Sequence, residues 1–204
     1  MKFYDSVGPN PKLVRMFAAE KGYPLPDTEK VDIVKGENRQ EPYLLKNPAG
    51  QLPALTLDDG RTIAETTAIC EWMEEQQPEP PLIGASAADR AETRMWTRRV
   101  EWLVVQPLTA GFRSGMGVKM FQDRMRLFPE SADALIASAG DGLAWLNEQI
   151  NGRETIVPGR FTLADIALYA FLEFGAQVGQ PLDSANANIA AWFERTGARP
   201  SAQA

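Results

Sequence analysis

The sequence predicts two unlike domains in tandem: a small α/β sandwich with a mixed sheet over residues 1–79, a linker at 80–85, and an all-helical bundle over 86–204. Three observations carry this expectation. Ahead of the break, short apolar stretches alternate with helical spacing in the order β-α-β-α-β-β-α, the pattern of an α/β layer architecture. Beyond it, apolar residues recur only at helical spacing. The break itself, Gln76-Gln77-Pro78-Glu79-Pro80-Pro81-Leu82-Ile83-Gly84, holds three prolines, each lacking an N–H and disfavouring helix in the residue before it.

In the first domain, Met1–Tyr4 reads as a short apolar strand ending at the turn signal Gly8-Pro9-Asn10-Pro11. From Pro11, Leu13, Val14, Phe17 and Ala18 recur at helical spacing, and Gly22 closes the helix as its C-terminal cap. Lys30-Val31-Asp32-Ile33-Val34 alternates as a half-buried strand does. Pro53–Leu57 and Arg61–Ile63 flank Asp58-Asp59-Gly60 and read as a hairpin. Glu65–Glu75 then sets Ala68, Ile69, Trp72 and Met73 on one helical face.

In the second domain, Ala87–Thr109 reads as one long helix with Trp96, Val100, Leu103, Val104 and Leu108 as its buried stripe. Arg90, Arg94 and Arg98 recur every fourth residue on another face. Further helices are expected at Met116–Leu127, Ser131–Ile150, Leu163–Gly175 and Asn188–Arg195.

Composition removes several function classes. The chain has 204 residues, 44% hydrophobic and 24% charged, which excludes wholesale disorder. A net charge of −6 argues against a sequence-independent grip on phosphate backbones. There is no histidine, so no Ser–His–Asp triad, Cys–His pair or imidazole metal site can form. Cys70 is the single cysteine, which excludes an internal disulfide, a CxxC redox motif and a thiolate metal site. No apolar run reaches the roughly twenty residues of a membrane span, and Met1-Lys2-Phe3-Tyr4-Asp5 opens no signal-peptide apolar region. The expectation is a cytoplasmic protein with neither membrane nor nucleic acid as partner and no metal.

Three stretches stand out. In Asn47-Pro48-Ala49-Gly50-Gln51-Leu52-Pro53-Ala54-Leu55, a proline opens a strand straight after a loop. It reads either as an edge-strand proline or as a cis bond that turns the Leu52 N–H and C=O outward, ready to pair with an extended peptide. In Ala64-Glu65-Thr66-Thr67, an acid and a hydroxyl open a helix. They read either as a plain cap, with Thr as N-cap, or as a site where amides and dipole take a ligand carboxylate while Glu65 takes an ammonium. In Gly159-Arg160-Phe161-Thr162-Leu163-Ala164-Asp165-Ile166, Thr162 and Asp165 have capping-box spacing and Phe161 and Ile166 that of a hydrophobic staple. This third motif is structural.

Together with Pro11-Lys12-Leu13-Val14-Arg15, these stretches resemble the soluble glutathione transferase family over nearly the whole chain. The start Tyr4-Asp5, with Gly8-Pro9 and Lys35-Gly36-Glu37 after it, is similar to an atypical branch found in yeast and bacteria. The resemblance implies a thioredoxin-like first domain, a helical second domain, a homodimer, and glutathione as co-substrate with no bound cofactor. It also implies conjugation of the glutathione thiolate to a small apolar electrophile lying against Phe112, Met116 or Met120. Glutathione-dependent reduction of a disulfide or peroxide is the alternative on the same site, and a non-catalytic binding protein is the third.

By the same resemblance, Leu52, next to Pro53, pairs with the cysteinyl backbone of glutathione, and Glu65 and Thr66 hold its γ-glutamyl end. Gln51, Lys35 and Arg39 meet the glycyl carboxylate. The family's usual catalytic hydroxyl or thiol is missing, because Gly8 stands where a Ser commonly precedes the proline. Lowering a thiol pKa from about 8.5 by two units takes roughly 2.7 kcal/mol, which one or two charge-assisted hydrogen bonds supply. Asn10 is the first candidate, with Ser6 beside it, while Tyr4 on its strand reads as core. In the second domain, Thr109, Arg113 and Ser114 occupy the place where the atypical branch holds a water, although Arg113 also reads as a surface arginine. Cys70 reads as a small core residue. The expected dimer contacts are the Arg90, Arg94, Arg98 face and the hairpin around Asp58.

Overall fold

The computed structural model describes residues 1–204 and resolves them into two compact units, Met1–Ala85 with Pro200–Ala204, and Ser86–Arg199. In the first unit, β1 (Lys2–Asp5), α1 (Pro9–Lys21) and β2 (Asp27–Lys30) are followed by a short α2 (Tyr43–Lys46), the hairpin β3 (Ala54–Thr56) and β4 (Thr62–Ala64), and α3 (Thr66–Gln76). The sheet order is β2-β1-β3-β4, with β1 parallel to β2 and the other two pairs antiparallel. This is the thioredoxin-like arrangement, as expected.

Strand alternation divides the buried residues between the two faces of the sheet. Tyr4 and Ala54, paired in register, form one cluster with Val31, Tyr43 and Leu52. Phe3 and Leu55, the next pair, turn the other way, and both are fully buried, as are Val14 and Phe17 of α1 and Ile69 and Met73 of α3. Gly22 caps α1 in the left-handed conformation at φ 62°, where a side chain would be strained.

The strand expected at Lys30–Val34 lies earlier, at Asp27–Lys30. Its register against the four-residue β1 ends at Asp5↔Lys30. Beyond that, the Asp32 carboxylate accepts the N–H groups of Val34 at 2.9 Å and Lys35 at 3.0 Å, turning the chain before the alternating pattern can pair.

The proline-rich stretch is fastened to the first unit by a buried ion pair. Lys21 Nζ donates to Glu74 Oε2 at 2.7 Å and to the Pro80 carbonyl at 2.7 Å. The Glu74 carboxylate also accepts from the Ile83 N–H at 2.8 Å and more distantly from those of Leu82 and Gly84. Each charge is thus neutralised and its remaining hydrogen-bonding capacity used, without which burial of either would be strongly unfavourable. The chain end returns to this unit as a 3-10 turn, Pro200–Gln203, where the Ser201 hydroxyl meets the Glu20 carboxylate.

In the second unit, α4 (Ala87–Val100) starts on a Ser86–Asp89 capping box and runs through a π-helical turn, Glu101–Val105, into α5 (Gln106–Ser114). There follow a short α6 (Val118–Phe121), α7 (Ala132–Gln149), α8 (Leu163–Gln177) and α9 (Ala187–Gly197). No helix is long and apolar enough to cross a membrane. The helical path therefore continues to Ser114, past the expected end at Thr109. The π turn also corrects the buried stripe: Leu103 is 38% exposed, while Val105 takes an inward position. A π turn adds a residue and rotates the helix beyond it, so a stripe extrapolated at 3.6 residues per turn misassigns that residue. Gly142 of α7 matches this turn, since a Cβ there would lie 2.1 Å from the Leu103 carbonyl oxygen.

The helix expected over Met116–Leu127 is reduced to the single turn α6. Gly115 leaves helical conformation at φ −104°, ψ −106°, ending α5 just ahead of it.

The Thr162–Asp165 capping box forms as expected and reaches further than its own helix. Asp165 Oδ2 accepts the Thr162 N–H at 2.9 Å; Oδ1 accepts the Ile156 N–H and the Trp192 indole N–H, each at 2.9 Å. One carboxylate therefore joins α8, the preceding loop and α9. Burial pushes its pKa up to about 6, against the opposing pull of these donors.

Because the folded-state pKa is raised above the ordinary 3.8, Asp165 contributes stability that is fully present below about pH 4 and lost as pH rises through about 6. An Asp165→Asn variant has no group to titrate here, so its unfolding free energy should not carry this pH dependence. Denaturant titrations of both proteins from pH 4 to 7 check this. The wild type should lose stability relative to the variant across that range.

Candidate functional site

Most of the polar groups singled out in the first domain lie around three chain turns. The first is the loop from β1 to α1. Gly8 has φ 108°, outside the range of an L side chain, and delivers the chain into Pro9-Asn10-Pro11 at the start of α1. Neither proline carries an N–H and the Lys12 N–H reaches the Gly8 carbonyl at 3.3 Å, so the Asn10 amide is the one open donor in the first three helical residues. No side chain caps this end and no acid sits in its first turn. Asn10, half-buried, thus brings a backbone N–H and a carboxamide to the positive end of the helix.

A residue without an assigned role in the sequence organises this loop. Asp5, 1% exposed, receives Arg15 at 2.6 Å, the Lys30 ammonium and the Ser6 N–H at 2.9 Å. It holds the end of β1, the second turn of α1 and the end of β2 to one point. The Ser6 hydroxyl, a candidate for catalysis, donates to the Val31 carbonyl at 2.6 Å, which commits its proton to the fold. Tyr4 is buried edge-to-face against Tyr43 at 5.6 Å, as its strand position suggests.

The second turn precedes β3. The Leu52–Pro53 peptide is cis, and the strand ladder starts only at Ala54, so the Leu52 backbone lies ahead of it. The approach is braced from three sides. The Gln51 carbonyl accepts from the Tyr43 hydroxyl at 2.5 Å and from the Asn47 amide at 2.9 Å, and the Gly50 carbonyl accepts from the buried Asn38 amide at 2.7 Å. Gly50 itself has φ 61°, and a Cβ on it would stand 2.9 Å from the Asn38 carbonyl oxygen. Arg39 donates to the Ala49 carbonyl at 3.2 Å, next to exposed Gln51. Lys35 sits on an exposed turn and pairs with Asp32 at 3.3 Å.

The third turn joins β4 to α3. Glu65 is the one non-glycine residue with positive φ, at φ 68° and ψ 124°. It, and not Thr66, is the N-cap residue, and no side chain caps the helix. Thr66 is the first helical residue, so its N–H and hydroxyl stand at an uncapped positive helix end beside an exposed carboxylate. A backbone conformation costing about 1–3 kcal/mol marks a place where geometry serves something other than stability.

In the second unit, the Thr109 hydroxyl donates to the Val105 carbonyl at 2.7 Å, directly after the π turn. The Arg113 guanidinium lies 5.6 Å from the centre of the Phe121 ring, and Phe112 packs edge-on against Phe121 and Phe174. The Ser114 hydroxyl accepts the Phe128 N–H. Cys70 is fully buried in α3, and burial, with Glu74 and Glu71 nearby, pushes its thiol well above the usual range.

A sheet with an uncapped helix end, a cis proline and a positive-φ acid converging on its loops, followed by a separate helical unit, is matched throughout by one family. The profile of the glutathione S-transferase N-terminal domain fits residues 3–81, and that of the C-terminal domain fits residues 129–195. Glutathione S-transferase 2 of Saccharomyces cerevisiae is 30% identical over 209 residues, covering 98% of this chain and 87% of that protein. The structure of a glutathione S-transferase domain-containing protein from Marinobacter aquaeolei is 34% identical with a TM-score of 0.90, covering 98% of this chain and 99% of that one. The structure of Gtt2 from Saccharomyces cerevisiae is 29% identical, also at 0.90, over 100% and 99%. The chain belongs to the glutathione S-transferase family.

Replacing Glu65 by glycine removes the steric cost of φ 68° and adds a smaller backbone-entropy cost of about 0.5–1 kcal/mol. Glu65→Gly should leave stability unchanged or raise it by about 1 kcal/mol, whereas Glu65→Val should lower it. Thermal denaturation of the two variants beside the wild type checks this.

Proposed function

We propose that the first unit binds glutathione and that the chain transfers its thiolate to an electrophilic carbon of an apolar compound. The observation that supports this best is the β4–α3 turn, where an acid held at positive φ adjoins an uncapped helix end. An α-amino acid head group needs that pair. Its carboxylate takes the Thr66 N–H and hydroxyl, and its ammonium takes Glu65. The cysteinyl N–H and C=O pair with the backbone of Leu52 beside Pro53, in the manner of an added strand. Gln51 and Arg39 meet the glycyl carboxylate, with Lys35 supplying positive charge from its exposed turn.

With the tripeptide so held, its sulfur faces the start of α1. Asn10 donates from its amide groups to the thiolate and, with the helix dipole, favours ionisation. The sulfur lone pair then forms a C–S bond as the leaving group departs with its electron pair. The protein contributes position and charge stabilisation and forms no covalent bond itself. Ser6 acts as a tether between strand and loop. In the second unit, Thr109, whose proton is held by the helix, can only accept, and Arg113 offers charge at the end of α5. Phe112, Met116 and Met120 supply a deformable apolar wall for the electrophile. The names of the yeast and bacterial relatives support the reading.

Calorimetric titration with glutathione should give saturable heat, and an aryl halide should then yield a thioether. Absence of binding would overturn the reading. Turnover of a glutathione-linked disulfide in place of the aryl halide would replace conjugation by reduction. Asn10→Ala should raise the pKa of the bound thiol by about one unit, followed by ultraviolet thiolate absorbance.

The partner in this reading is a second copy of the chain. Trp102, 62% exposed, stands on the π turn with Arg98 5.1 Å over its ring, and Met95 is exposed seven residues earlier. Large exposed apolar side chains there support placing the contact on this face. Trp102→Arg should shift the sedimentation of the protein from dimer to monomer.

A further inference from the structure

We propose that the helical unit binds a small amphiphilic amine, an ammonium group on an apolar body, in the cavity between α7 and the loop joining α8 to α9. The cavity measures about 500 Å³, a size that suits a small molecule. None of Phe112, Met116 or Met120 lines it, and no residue of the glutathione cradle does. The proposal stands independently of the glutathione reading.

The walls are apolar and low. On α7, Ala137, Gly140 and Ala144 follow at spacings of three and four, so one face of the helix carries almost no side chain. Leu108, Leu143 and Leu172 line the buried side. The facing loop is anchored by Gln180, whose side-chain amide donates to the Leu108 carbonyl at 3.3 Å and whose N–H donates to the Gly175 carbonyl at 2.8 Å.

Asn186 points to a ligand. It is the N-cap residue of α9, where an asparagine ordinarily spends its side-chain oxygen on the first free amides of the helix. Asn147 of α7 has taken those amides: its Oδ1 accepts the Asn188 N–H at 2.8 Å and the Ile189 N–H at 3.2 Å. The Asn186 carboxamide therefore makes no hydrogen bond within the chain, although the residue is only 7% exposed and lines the cavity. Its carbonyl oxygen is left as an acceptor for whatever enters.

Charge selects the sign of that ligand. Two carboxylates, Asp141 and Asp183, line the cavity, and no Lys or Arg does. None occurs anywhere in residues 127–152 or 161–194, which hold α7, α8, the loop and the start of α9. On α5, the one cation is Arg113, which lies against the Phe121 ring. Neither acid is in an ion pair. Asp183 Oδ1 accepts the Ala185 N–H at 2.9 Å, which fixes the carboxylate and leaves Oδ2 open. The helix-start amides that would attract an anion are already occupied by Asn147. Asp141 also borders the groove beside Trp102, so Asp183 and Asn186 carry the test.

The full chain is titrated calorimetrically with 1-naphthylmethylamine, with 1-naphthalenemethanol as its neutral and 1-naphthoate as its anionic counterpart. The amine should bind saturably, one per chain, and the alcohol and acid about tenfold more weakly or worse. Asp183→Asn keeps an oxygen for the Ala185 N–H; it should weaken amine binding about tenfold and leave the alcohol unchanged. Asn186→Ala loses no bond within the chain, so it should weaken amine binding while its melting temperature stays at the wild-type value. The proposal is overturned if the amine gives no saturable heat, if the alcohol or acid binds equally, or if S-hexylglutathione displaces the amine. Unchanged amine affinity in either variant overturns it as well, since attraction to the acidic chain at large would survive both substitutions.

Discussion

A carboxylate residue held at φ 68° and ψ 124° is the constraint on which the candidate site depends. Such a conformation persists only where its surroundings over-determine it. Here the hairpin β3–β4 fixes the chain before Glu65, and α3 fixes it after, with Ile69, Cys70 and Met73 fully buried beneath. The helix cannot rotate to relieve Glu65 without withdrawing those residues from the core. The consequence is an uncapped helix end and an exposed acid side by side.

The same division between support and site recurs at the other two turns. Tyr43, Asn47 and Asn38 are hydrogen-bonded to the Gly50 and Gln51 carbonyls, not to any ligand position, and their effect is to present the Leu52 backbone. Asp5 plays this part for the loop ahead of α1: a buried carboxylate gathers Arg15, Lys30 and the Ser6 N–H, and the chain beyond it can enter the helix through Gly8 with Asn10 at its mouth. Buried polar groups cost least when fully satisfied; both Asp5 oxygens have partners, while the Asn38 side-chain oxygen is left without one. The Ser6 hydroxyl, in the same loop, gives its proton to the Val31 carbonyl.

The second unit is organised by one carboxylate and one irregular helix. Asp165 ties three segments together at full burial. The π turn at Glu101–Val105 changes which side chains face inward, exposing Trp102 and Leu103 and setting Thr109 and Arg113 on the helix after it. The turn fits against α7 only because position 142 lacks a side chain.

Much of this was legible from residue order alone. Alternation, helical spacing, the proline-rich break and the Thr162–Asp165 spacing are local, and local interactions decide the order of elements, the left-handed Gly22 cap, the capping box and the burial of Cys70 and Tyr4. The positions of Asn10, Leu52, Glu65 and Thr66 at turns and helix starts could likewise be read, since such local geometry is written in a few consecutive residues. What only the tertiary structure decided depends on partners far apart in the chain. The second strand stops at Lys30 because β1 has no residue left to pair with it; Leu103 faces out because α7 admits a π turn at Gly142; Ser6 is spent because Val31 is brought beside it. Asp5 and Tyr43 acquire their roles from groups ten, twenty-five and eight residues away. A periodic pattern records what each residue prefers, whereas the occupant of each hydrogen bond is settled by which segments the folded chain places in reach.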